Sequence, residues 1–175
     1  MKTGVEAYPL PSGALLQRYR DMPGAYTDCF SACVGRAVGA AEFIEAFYTT
    51  GLFKCERFVL FLIGRGCTDA EAHALARGEA EKFAAWTVEA RAENELLVCD
   101  FARLTRSWLM AASAADGAST RLYFGSAVVP RAKDTAGNPQ PTAGFRYLQP
   151  LHAFYARALL RAAVRALSRR GLGGG

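Results

Sequence analysis

The spacing of apolar side chains changes several times along the chain, and each change marks an element. Residues 25 to 34, AYTDCFSACV, alternate: Tyr26, Asp28, Phe30, Ala32 and Val34 fall on one side, Thr27, Cys29, Ser31 and Cys33 on the other. That period of two predicts a first strand. From Ala40 to Ile63 the period lengthens. Phe43 and Phe47 stand i, i+4 with Glu42 and Glu45 between them, which predicts helix, and Gly51 is expected to divide it into a pair. In the second member Leu52, Cys55, Val59 and Ile63 share a side, widened by Phe58 and Leu62. A face that wide must be covered on most sides. Thr68 or Asp69 is the expected N-cap of a more polar helix, Thr68 followed three residues later by Glu71 having the form of a capping box, with Ala72, Leu75 and Ala76 turned inward.

The middle of the chain returns to a period of two. Trp86, Val88 and Ala90 alternate with Thr87, Glu89 and Arg91; Leu96, Val98 and Asp100 with Leu97, Cys99 and Phe101. Trp108, Met110 and Ala112 alternate with Ser107, Leu109 and Ala111; Leu122, Phe124 and Ser126 with Tyr123 and Gly125. Short turns at AEN, ARL and AADGAS join these four segments, and short returns favour antiparallel neighbours. The expected sheet is a curved meander of five strands with one face covered. Residues 130 to 144, rich in proline and glycine, form a mobile loop, and a final helix runs from Tyr147 to Arg170. Its apolar stripe reads Leu151, Phe154, Tyr155, Ala158, Leu159 and Ala162, while Arg157, Arg161, Arg165 and Arg169 recur every four residues.

Composition narrows the class. At 175 residues, 51% hydrophobic and 21% charged, the chain is long enough for one domain with a full core. The expected organisation is an irregular lead-in over 1–24 with one turn of helix near ALLQRYR, a domain over 25–170 and a flexible tail over 171–175. The apolar run Phe58 to Ile63 is six residues long, against the roughly 18 to 20 that a membrane span requires, so it is read as core with a side chain or two at a cavity mouth. The N-terminus has no basic start followed by an apolar block, so no secretory signal is expected. Five cysteines without a C-x-x-C pair fit a reduced, cytoplasmic compartment. Cys29 and Cys33 would stand about 13 Å apart on one strand face at ~3.3 Å per residue, too far to grip one zinc ion. No metal and no cofactor are expected. A net charge of +5 permits contact with nucleic acid or anionic lipid without demanding either.

The element order (strand, helix pair, antiparallel strands, long terminal helix) predicts an α+β fold whose sheet wraps around the last helix. Four segments carry a resemblance: AYTDCF at 25–30, FIEAFYTTGLFKCERFVLFLI at 43–63, TRLYFGSAVVP at 120–130, and LQPLHAFYARALLRAA at 148–163. With these the chain resembles the START-like, or SRPBCC, helix-grip superfamily, which includes polyketide cyclases, and within it a bacterial family of unknown function. The resemblance implies a helix pair plugging one end of the sheet and an apolar ligand held between sheet and long helix. Such folds usually have six or seven strands, so either a further short strand lies near AHAL to EKF or the sheet is abbreviated and the cavity smaller or more open.

A cavity of that kind needs a few convergent polar groups to orient a ligand. Asp28, Phe47, Trp86, Arg106, Trp108, Tyr123, His152 and Tyr155 are the candidate lining residues, with Glu89, Asp100 and Arg103 as further polar candidates. Asp28, beside Tyr26 and Phe30, is expected inward, where burial would raise its pKa. His152 stands near the start of the last helix and could act as a base. Arg103 and Arg106 suit an anionic head group. The expected role is binding of a small apolar or amphipathic molecule, an anionic group on it being one form. The alternatives are a cyclase, hydrolase or isomerase using the inward carboxylate or His152, and an interaction module docking through the basic helix.

Overall fold

Alternation from Tyr26 to Val34 builds the strand that organises the sheet, because all nine of its residues find partners on the last long strand. The structure is a computed structural model; it describes residues 4–54, 67–115, 117–133, 137, 139–140 and 143–172, without the side chains of 132–133, 139–140, 143–148 and 172. The strands are β1 (Glu6–Ala7), β2 (Tyr26–Val34), β3 (Lys82–Phe83), β4 (Trp86–Ala92), β5 (Glu95–Asp100), β6 (Thr105–Ser113) and β7 (Thr120–Val128). They form one antiparallel sheet in the order β1-β2-β7-β6-β5-β4-β3. A separate pairing joins β8 (Ala132–Lys133) to β9 (Pro139–Gln140) within the proline-rich segment. The helices are α1 (Gln17–Arg20), α2 (Ala40–Tyr48), α3 (Asp69–Arg77) and α4 (Ala143–Leu172).

The fold is α+β, with a seven-stranded antiparallel sheet and a C-terminal helix. Five strands were legible from alternation. The two added ones, β1 and β3, are two residues each, too short to show a period; β3 lies within the EKF stretch. Because β1 comes first, the helices follow the second strand rather than the first. The break after α2 falls at Thr49–Thr50, and Gly51 is itself helical, with residues 51–54 continuing as helix. The rest of the expected second helix, Cys55 to Ile63, lies outside the described residues and takes the FVLFLI run with it. α3 begins with the predicted capping box: Thr68 Oγ1 accepts the Glu71 N–H and the Glu71 carboxylate accepts the Thr68 N–H. It ends at Gly78, whose φ of 78° is the left-handed cap that glycine adopts without a Cβ clash.

Both faces of the sheet are covered, where one was expected. On the inner face Phe30, Ala32, Val34, Leu96, Val98, Leu109, Ala111, Leu122 and Phe124 pack under α2, α3 and α4. On the outer face Cys29, Leu97, Trp108, Tyr123 and Ala127 pack against Ala14, Leu16 and Tyr19 of the N-terminal segment. α4 lies with Ala156, Leu159, Leu160, Ala163, Val164 and Leu167 buried, a regular i, i+3/i+4 stripe. This corrects the expected stripe: Leu151 and Phe154 are 64% and 66% exposed. The bulky side chains at the helix's start suggested the wrong rotation, since the buried stripe includes the small residues Ala156 and Ala163 beside Leu159, Leu160 and Leu167.

Candidate functional site

The register of the central strands sorts the inner face into rows. Phe30, Phe124 and Leu109 stand opposite one another on β2, β7 and β6; one row further along stand Asp28, Ser126 and Ser107, and beyond them Tyr26, Val128 and Thr105. The sheet floor thus passes from apolar to polar within two residues of strand.

A cavity of about 180 Å³ lies over this transition. Its floor includes Thr105, Ser107, Phe124 and Ser126; Phe47, Tyr48 and Phe53 form one wall, Trp86 another, and His152, Tyr155, Ala156 and Leu159 of α4 the roof. The aromatic wall is rigid by mutual packing. Phe47 meets Tyr48 edge-on at 5.3 Å between centroids and lies 4.7 Å from Phe124, and Tyr48 lies 5.0 Å from Phe83. Such pairs add about 0.5–1.5 kcal/mol each beyond the area they bury.

Asp28 anchors the polar end. Its side chain is 9% exposed; Oδ1 accepts the Ser126 backbone N–H at 2.9 Å and Oδ2 accepts the Tyr26 hydroxyl at 3.2 Å. His152 Nε2 stands 3.6 Å from Oδ2, close enough for electrostatic coupling though longer than a hydrogen bond. Burial pushes the Asp28 carboxyl above the ordinary carboxylate range, with His152 and the Tyr26 and Ser126 hydrogen bonds opposing the shift without cancelling it. Tyr26 is pushed up to about 12 by burial and by the Asp28 charge. Behind His152 and Ser126, which line the cavity, thus stands a buried carboxyl that holds its proton more tightly than usual.

Trp86 Nε1, buried in a cavity-lining residue, has no hydrogen-bond partner among the described residues; Ser126 Oγ, also buried, makes no hydrogen bond of standard geometry there, though the Ser126 side chain acts to lower the Asp28 pKa. Ser126 as a whole is 2% exposed.

Of the candidate residues, Phe47, Trp86, Arg106, His152 and Tyr155 contribute to the cavity, and Asp28 lies directly behind His152 and Ser126. Trp108 and Tyr123 belong to the outer face, 6.1 Å apart between ring centroids. Arg106 shares the cavity wall, but its guanidinium is turned outward: Nε donates to Tyr19 Oη at 2.8 Å and to Glu89 Oε2 at 3.0 Å, and Nη1 to the Arg103 carbonyl. Glu89 stands on that face by the alternation expected of β4, and a bulge between Val88 and Ala90 brings Ala90 to the same outer side. Asp100 closes the β5–β6 turn by accepting the Leu104 and Thr105 N–H groups. Arg103, exposed in that turn, has a φ of 58°.

Tyr48, Phe53, Thr105, Ser107, Phe124 and Ser126 were not among the expected lining residues. Ser126 could have been found by its pairing with Asp28 had the β2–β7 register been known. Cys29 and Cys99 are both pushed upward by burial, Cys29 to about 12, which keeps them as thiols. Among the described residues no group of His, Cys, Asp or Glu is arranged to hold a metal ion, and no helix is long and apolar enough to cross a membrane. On α4, Arg157 stacks 4.9 Å from the Phe30 ring, Arg170 pairs with Glu45, and Arg161, Arg165 and Arg169 line an exposed groove. No protein-family model matches the chain, and searches of curated proteins and of solved structures return no match.

Proposed function

We propose that the protein binds a small apolar or amphipathic molecule in the cavity between the sheet and α4, and that its fold is a helix-grip of the START-like kind. The observation that carries the reading is the cavity itself: an aromatic pocket of about 180 Å³ floored by β6 and β7, roofed by α4, with its polar groups gathered at one end. An apolar cavity of about 150 Å³ is enough to hold a benzene ring, so the matching ligand is of one-ring or short-chain size. The strand order supports the fold reading, since the first long strand, β2, pairs with the last, β7, and the remaining strands follow as a meander.

A second reading has its own observation. The Asp28 carboxyl and the His152 imidazole stand 3.6 Å apart at the polar end, and a buried acid of raised pKa beside a base is the arrangement that acid–base catalysis uses.

Binding is tested by comparing native with denaturing mass spectra of protein purified gently from its own host. A discrete added mass that disappears on denaturation is expected, and it should be lost in Ala156→Leu, which fills the roof of the cavity while leaving the stripe of α4 apolar. A bare polypeptide mass, together with no uptake from a panel of small aromatic and aliphatic compounds, would overturn the binding reading.

A further inference from the structure

The Trp86 indole identifies what the ligand must carry. An indole N–H is a donor with no acceptor capacity, so a buried one can be satisfied only by an oxygen or nitrogen lone pair. Leaving such a group unmade is costly, and native chains keep few of them. Here Nε1 of Trp86 is without a partner among the described residues, and Ser126, whose Oγ makes no hydrogen bond of standard geometry, lines the same cavity. Solvent can serve these groups when no ligand is bound. A ligand that displaces solvent without supplying an acceptor loses those bonds.

Charge selects further. Among the described residues the one arginine of the cavity wall, Arg106, has its guanidinium engaged on the outer face by Tyr19, Glu89 and the Arg103 carbonyl. His152 has the Asp28 carboxyl 3.6 Å behind it, so a charge on the imidazole has a partner at hand. An anion would therefore find no free cation among the described lining residues. An ammonium group would bring only donors to face the donor of Trp86.

We infer that the ligand of this cavity carries a neutral carbonyl-type acceptor that takes the Trp86 Nε1 hydrogen, on a one-ring or short-chain apolar body. The inference rests on the binding reading above and names the chemical class of its ligand.

Four probes of nearly equal shape test it on the full chain: acetophenone, ethylbenzene, benzoate and benzylamine. Their affinities are measured by titration while the two indole N–H signals of the protein are followed in ¹⁵N-resolved NMR; Trp86→Phe identifies the Trp86 signal by its loss. Acetophenone is expected to bind at least about fivefold more tightly than ethylbenzene, as one net buried hydrogen bond allows, and to shift the Trp86 signal while leaving that of Trp108 in place. Trp86→Phe should abolish the preference for acetophenone and keep ethylbenzene binding. Equal binding of acetophenone and ethylbenzene would leave the apolar cavity standing and sink the acceptor. Tighter binding of benzoate or benzylamine would sink its neutrality. Failure of all four to bind would overturn the cavity reading itself, and this inference with it.

Discussion

The two faces of the sheet treat buried polar groups in opposite ways, and their tryptophans show it most plainly. On the outer face Trp108 Nε1 donates to the buried Glu95 carboxylate, which also accepts the Leu15 backbone N–H at 2.9 Å. Beside it, Tyr19, Glu89 and Arg106 satisfy one another, with burial and the Glu89 bond pushing Tyr19 up to about 12. On the inner face, among the described residues, Trp86 Nε1 has no partner and Ser126 Oγ makes no hydrogen bond of standard geometry beside a cavity. A closed polar network fastens the N-terminal segment to the sheet, while the inner face leaves an indole of the same kind open.

The comparison breaks most readily at Glu95. Glu95→Ala leaves the Trp108 and Leu15 donors buried without their acceptor, and a loss of about 2–4 kcal/mol is expected in urea denaturation. Ser126→Ala should change the same midpoint by less than about 0.5 kcal/mol, since no hydrogen bond of standard geometry is lost. If the two variants behaved alike, the contrast between the faces would be empty.

Gly125 comes next in size. A Cβ there would lie 2.7 Å from Leu16 Cδ2, 2.9 Å from the Asp28 carbonyl oxygen and 3.0 Å from Trp108 Cε3. One of these neighbours is backbone and another a packed indole, so Gly125→Ala is expected to cost about 1–3 kcal/mol, read as a lower melting temperature. A neutral result would mean that the N-terminal segment yields freely and does not clamp the outer face.

The smallest expected effect sharpens the inner face. The folded chain holds the Asp28 proton more tightly than the unfolded chain, whose aspartate titrates near about 3.9. Stability should therefore decline as pH rises from about 4 through the raised folded value, because the folded state binds the extra proton in that window. Asp28→Asn, which can still accept the Ser126 N–H, should remove this decline and match the parent at low pH. Parallel stability curves for the two proteins across pH 4 to 8 would show that the carboxyl is not under strain.

Local pattern was enough wherever an element reports on itself. The capping box at Thr68 and Glu71 satisfies donors within four residues, so the start of α3 could be placed to within a residue. The long strands β2, β6 and β7 have enough residues to show alternation, and Asp28 could be put on the same side as Phe30 by parity alone. β1 and β3 escaped because two residues have no period. Trp108 and Tyr123 were candidates for the cavity because both faces of β6 and β7 carry apolar residues, and apolarity alone then assigns neither face to the helices. Arg106 was a candidate anion binder because nothing local shows that Glu89 and Tyr19, from separate segments, meet it on the outer face.

By itself, then, the sequence determined the α+β class, the long strands, the starts of α2 and α3 and the side of β2 that carries Asp28, because each follows from short-range period and capping. Only the tertiary structure decided that the N-terminal segment closes the outer face, that α4 starts at Ala143 and buries Ala156 and Ala163 rather than Leu151 and Phe154, and that Trp86, Ser126 and His152 share a cavity in front of Asp28. These depend on strand register and helix rotation, and both are set by contacts between residues far apart in the chain, where a shift of one position exchanges every side chain from one face to the other.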